Sequence, residues 1–129
     1  MRQIDNIETI TLFVDDLEAA RLFYGSFFGG ETIFKDQVST MIRLGEVMIN
    51  LLAISEAAEL VEPLRPAPRN ASPRALLTIR VEDVDRLCAS LSAAGVELLN
   101  GPVDRPWGRR TAAFADPAGH VWELAQLLQ

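Results

Sequence analysis

Apolar residues in this chain alternate in short runs, and the longer helical periodicities lie one in each half. Residues 7–14 predict a strand with Ile10, Leu12 and Val14 on one face and Thr9, Thr11 and Phe13 on the other. Asp15-Asp16 then offers a helix N-cap, and Glu18 lies where a capping box would place its acid. A helix is predicted to about Phe28, because Leu17, Ala20, Tyr24, Phe27 and Phe28 recur at helical spacing, and Gly29-Gly30 ends it. Three strands follow at 31–35, 40–44 and 47–53, the last two turning at Gly45-Glu46. Residues 55–60 suit one helical turn.

The pattern then restarts. Residues 61–74 carry Pro63, Pro66, Pro68 and Pro73, which exclude a helix or central strand, so this stretch is a linker between module 1 (1–60) and module 2 (75–129). Leu77, Ile79 and Val81 alternate with Leu76, Thr78 and Arg80, and Glu82-Asp83 repeats the acidic pair of the first half. A helix follows with Val84, Leu87, Cys88, Leu91 and Ala94 on one face, stopped by Gly95. Strands at 96–99, 111–115 and 121–127 close the half, the last two joined by the turn Asp116-Pro117-Ala118-Gly119. Each half is therefore strand, helix, three strands. One helix covers only one sheet face, so two such sheets are expected to join and line a concave cleft with their uncovered faces. Thr9, Thr11 and Phe13 would point there from one half, and Leu76, Thr78 and Arg80 from the other.

Composition narrows the function classes. A net charge of −6 argues against a nucleic-acid partner and is compatible with a cationic ligand. No apolar run approaches the roughly 20 residues of a membrane span. The single cysteine, Cys88, cannot form an internal disulfide, which makes a reducing cytoplasm the expected location. The one histidine, His120, leaves no Ser-His-Asp or Cys-His scheme that the residues support.

The repeated halves, with VDDLEAARLFYGSFFGGE in the first and DPAGHVWEL at the end, resemble the vicinal oxygen chelate superfamily. That group includes glyoxalase I, extradiol dioxygenases, fosfomycin-resistance enzymes and bleomycin-resistance proteins. PWGRR followed by DPAGH is most similar to the end of bleomycin-resistance proteins. The resemblance covers essentially the whole chain. It implies an α+β fold of two tandem βαβββ modules forming a curved, cleft-bearing sheet, as a homodimer.

Enzymes of that superfamily hold a divalent metal through two histidines and one or two glutamates. Carried onto this chain, the histidine positions fall on Thr9 and Leu76 and the first acid on Asn50, so the last acid alone persists, as Glu123. One histidine cannot build a two-histidine site, so no metal or other cofactor is expected, the alternative being a divalent metal at Glu123. Trp107, in the Pro106-Trp107-Gly108 loop, is suited to stack on a planar or cationic ligand. Phe13 and Met48 would line the cleft. Arg80, Arg109 and Arg110 are candidates to bind an anion or pair with Glu123, whereas Trp122, of opposite parity to Glu123, belongs to the core or a dimer contact. The resulting expectation is metal-independent binding of a small aromatic or cationic molecule, of the antibiotic-sequestering type. Thr9, Phe13, Met48, Asn50, Leu76, Arg80, Trp107 and Glu123 are its ligand-binding residues. The alternative is a glyoxalase-like lyase or dioxygenase with a rearranged site in which Glu123 acts as base.

Overall fold

A computed structural model describes residue 4 and residues 6–129 of the chain; part of the opening of module 1 lies outside these described residues. The first compact unit runs to Arg69 and the second begins at Asn70. In the first, strand β1 (Thr9–Val14) is followed by helix α1 (Leu17–Phe27) and strands β2 (Glu31–Lys35), β3 (Ser39–Leu44) and β4 (Val47–Ala53). They form a four-stranded sheet in the order β1-β4-β3-β2, with β1 parallel to β4 and the others antiparallel. A 3-10 turn at Ile54–Glu56 and the short helix α2 (Ala58–Val61) follow.

The second unit repeats the order. Strand β5 (Leu77–Arg80) leads to helix α3 (Val84–Ala93) and strands β6 (Leu98–Arg105), β7 (Arg109–Ala115) and β8 (Val121–Leu127). Their sheet order is β5-β8-β7-β6, with β5 parallel to β8. This is the α+β architecture of two βαβββ modules that the sequence predicts. Among the described residues, no helix is long and apolar enough to cross a membrane.

Strand periodicity decides which residues each helix covers. In the first unit Leu12, Val14, Ile49, Leu51 and Ile42 share one sheet face and are buried, as are Ala20 and Tyr24 of α1. In the second, Phe114, Trp122 and Leu124 are buried on the face that carries α3, as are Val84, Cys88 and Leu91 of the helix itself. Both helices start on an aspartate: the Asp16 side chain accepts from the Ala19 amide at 3.1 Å, and that of Asp83 from the Arg86 amide at 3.0 Å. The predicted capping box at Asp15 is therefore corrected. The cap is Asp16, one residue later, and Glu18 pairs instead with Arg21 across one helical turn.

Arg21 ties α1 to the β2–β3 connection. Its guanidinium donates to the Thr40 hydroxyl and to the carbonyl oxygens of Asp36 and Ser39. The Asp36 carboxylate in turn accepts from the Val38 amide at 2.9 Å, the Ser39 amide at 2.8 Å and the Ser39 hydroxyl at 3.2 Å. The Val38 amide is the largest influence on this group. With the Ser39 donors and the Arg21 charge, it outweighs desolvation and holds the carboxyl below the ordinary 3.8. A depressed folded-state value stabilises the protein above the unfolded pKa, and that contribution is lost as pH falls through the folded value. Asp36→Asn should therefore be less stable than wild type at neutral pH and show a shallower stability loss on acidification below about pH 4. Urea titrations across that range check this; parallel pH profiles for the two proteins would contradict it.

Candidate ligand-binding face

The strand positions of the second unit that point away from α3 share one sheet face. Register sets its rows: Thr78 lies beside Glu123, Glu123 beside Ala113, and Ala113 beside Asn100. The next row runs Arg80, Ala125, Thr111 and Val103. Glu123 thus occupies the face away from α3 while Trp122, only 2% exposed, packs on the helix side, as their parity predicts. The Thr78 hydroxyl donates to Glu123 Oε1 at 2.9 Å. Among the described residues, Glu123 has no ion-pair partner.

At the opposite edge of this face stands Arg105. Its Nε donates to the buried Thr111 hydroxyl at 3.0 Å, and its Nη2 donates to Asn100 Oδ1 at 3.2 Å. Its Cζ lies 5.9 Å from the centroid of the Trp107 ring, which is 66% exposed in the β6–β7 turn. The chain reaches this arrangement through a kink. Register shifts on either side of Asn100 mark a bulge, and Gly101 there has φ of 84°. A Cβ on Gly101 would meet the Thr111 carbonyl oxygen at 2.4 Å and the Ala112 Cα at 2.8 Å.

The sequence expectation missed Arg105 because it ended this strand at residue 99. Gly101-Pro102 reads as a stop, whereas β6 continues through the bulge to Arg105. Two further expectations are corrected. Arg110 points to the helix side, where it bonds Asp85 at 2.9 Å and Asp104 at 3.0 Å, so it neither faces Glu123 nor offers a free anion site. The Asp85 carboxylate, then that of Asp104, raises its pKa further. Arg80 shares the face of Glu123 but forms no bond with it. It lines a cavity of about 370 Å³ with Val81, Glu82, Gln126, Leu127 and Gln129 at the end of β5 and β8. Arg109 shares the open face beside Arg105, and Leu76 lies just before β5, half exposed.

In the first unit the predicted residues also gather on one surface. Thr9 pairs with Met48, Thr11 with Asn50 and Phe13 with Leu52, all on the sheet face opposite the buried Leu12 and Val14. His120 lies at the turn: its amide donates to Asp116 Oδ1 at 2.8 Å, and its carbonyl accepts from the Asp116 amide. Cys88 is buried, and desolvation pushes its thiol up, which keeps it protonated and a poor nucleophile at neutral pH.

Residues 6–124 match the Glyoxalase/Bleomycin resistance protein/Dioxygenase superfamily. The chain belongs to this family. A relative in Bacillus subtilis, the uncharacterized protein YraH, is 32% identical over 123 residues, covering 92% of this chain and 96% of its own. The solved structure of a glyoxalase-related enzyme from Fulvimarina pelagi is 28% identical with a TM-score of 0.82, covering 95% of this chain and 88% of that one. A lactoylglutathione lyase from Agrobacterium tumefaciens is 25% identical with a TM-score of 0.76, covering 97% and 96% of the two chains. TnmS3, an antibiotic binding protein from Streptomyces sp. CB03234, is 25% identical with a TM-score of 0.75, covering 98% and 99%.

The divalent ion that the resemblance implies does not fit the donors present. Thr9, Asn50 and Leu76 supply a hydroxyl, an amide and an alkyl group, which leaves Glu123 as the one carboxylate of the set. Among the described residues, no group of three or more His, Cys, Asp or Glu is placed to hold an ion.

Because Gly101 brings β6 against β7, Gly101→Ala should destabilise the protein by about 2 kcal/mol or more through strain and backbone contact. Chemical denaturation measures this, and a change below about 0.5 kcal/mol would show that the bulge accommodates a side chain.

Proposed function

We propose that this family member binds a small, partly aromatic cation without a metal ion and without breaking a bond, as a sequestering protein. The observation that carries the reading is Glu123: a partly exposed carboxylate on the sheet face away from α3, fixed by the Thr78 hydroxyl, with no ion-pair partner among the described residues. That charge is left available to a ligand cation. Trp107 offers an exposed ring on the same unit. The likeness to an antibiotic binding protein supports the same class of role. On the first unit, Thr9, Phe13, Met48 and Asn50 offer a second uncovered surface of mixed apolar and polar character. In this reading the protein is a homodimer, as the family resemblance implies.

The alternative is a glyoxalase-like lyase or dioxygenase with a rearranged site, and the likeness to a lactoylglutathione lyase favours it. Titration with 4-methylbenzylamine, followed by calorimetry, separates the two. Binding should be the same with and without a chelator, and Trp107→Ala should weaken it by about 1–3 kcal/mol. Equal affinity for the variant and the wild type would remove Trp107 from the site. Loss of binding on chelation, restored by Zn, Ni, Fe or Mn, would favour the enzyme.

A further inference from the structure

We infer that the face carrying Glu123 has a second, oppositely charged anchor at Arg105, so that the ligand is amphoteric: a cation at one end, a carboxylate or similar oxyanion at the other. This rests on the reading of Glu123 as a cation anchor and names the ligand class more narrowly. Arg105 is partly buried and held in place. Its Nε is committed to the buried Thr111 hydroxyl and one Nη2 hydrogen to Asn100, which fixes the plane of the guanidinium. Trp107 flanks the same group. Among the described residues no carboxylate pairs with it. Arginine has five N–H donors in a rigid fork, and two are used here. The remaining three suit a planar oxyanion, which a fork binds through two parallel hydrogen bonds.

The register sets the spacing. Asn100 and Glu123 are both paired with Ala113, on strands two apart, so their backbones lie roughly 10 Å from each other. Arg105 reaches over to the Asn100 end of that row. Between the two charges lie only short side chains, Ala113, Ala125 and Thr111, all three of them buried. A flat ring spanning the two charges would direct one charged group to β8 and the other to β6. Opposite charges at the two ends also specify orientation, because a ligand turned end for end meets two repulsions.

The test compares three probes built on one ring: 4-(aminomethyl)benzoate, 4-methylbenzylamine and 4-methylbenzoate. Trp107 fluorescence or calorimetry follows binding. The wild type should bind 4-(aminomethyl)benzoate about tenfold or more tightly than 4-methylbenzylamine. In Arg105→Gln that ratio should fall to near one, and Arg105→Lys, which keeps the charge but loses the fork, should be intermediate. Circular dichroism and melting confirm that each variant is folded; should Arg105→Gln fail to fold, the lysine variant alone carries the comparison. An unchanged ratio in the folded arginine variants would overturn the anion anchor. So would failure of 4-(aminomethyl)benzoate to bind the wild type at concentrations on the order of 10 mM. The underlying reading fails separately: 4-methylbenzylamine binding that Glu123→Gln does not weaken would sink the cation anchor, whatever Arg105 does.

Discussion

Burial of Phe114, Trp122 and Leu124 on the α3 side of the second sheet fixes everything else about its other face. A regular strand alternates, so putting Trp122 and Leu124 against the helix sends Glu123 and Ala125 the opposite way. A slip of one residue would bury the carboxylate under the helix and expose the indole. The cost of an unpaired buried charge, added to the loss of a buried aromatic, closes off that register. The helix is itself tied to β8, because the Val84 amide donates to Gln126 Oε1 at 2.8 Å. The same logic holds the first unit, where Leu12 and Val14 go under α1 and leave Thr11 and Phe13 outside. In both units a single long helix covers one face of a four-stranded sheet, and the candidate site residues lie on the other.

This explains which features were legible in the sequence. Regular strands gave up their faces by parity alone: the opposite orientations of Trp122 and Glu123, and the grouping of Thr9 with Phe13, needed only alternation. Element ends marked by glycine or aspartate were also readable, to within a residue. Reading failed where the backbone departs from regularity. The bulge at Gly101-Pro102 looks like a terminator, so the continuation of β6 and the position of Arg105 stayed hidden. Arg110 was misplaced for a related reason. With β7 expected to start at residue 111, Arg109 and Arg110 had no parity, and only the observed strand start assigns them to opposite faces. Bonds between elements distant in sequence, such as Arg21 to the β2–β3 connection, leave no local periodic signal at all.

Family membership fixes the fold more tightly than the chemistry, because one architecture serves many reactions. A hydroxyl, an amide and an aliphatic group stand at the positions where the resemblance places metal donors. Charge on the second face is instead divided between a carboxylate oriented by Thr78 and a guanidinium oriented by Thr111 and Asn100. Both groups are preoriented by neutral partners. Less side-chain entropy is then lost when a ligand arrives, and neither charge is cancelled beforehand by the other.

The most direct measurement is native mass spectrometry of the protein purified without chelator. The account predicts chains free of stoichiometric divalent ion, any added mass being that of an organic molecule. One Zn, Ni, Fe or Mn ion per chain, absent from Glu123→Gln, would contradict it.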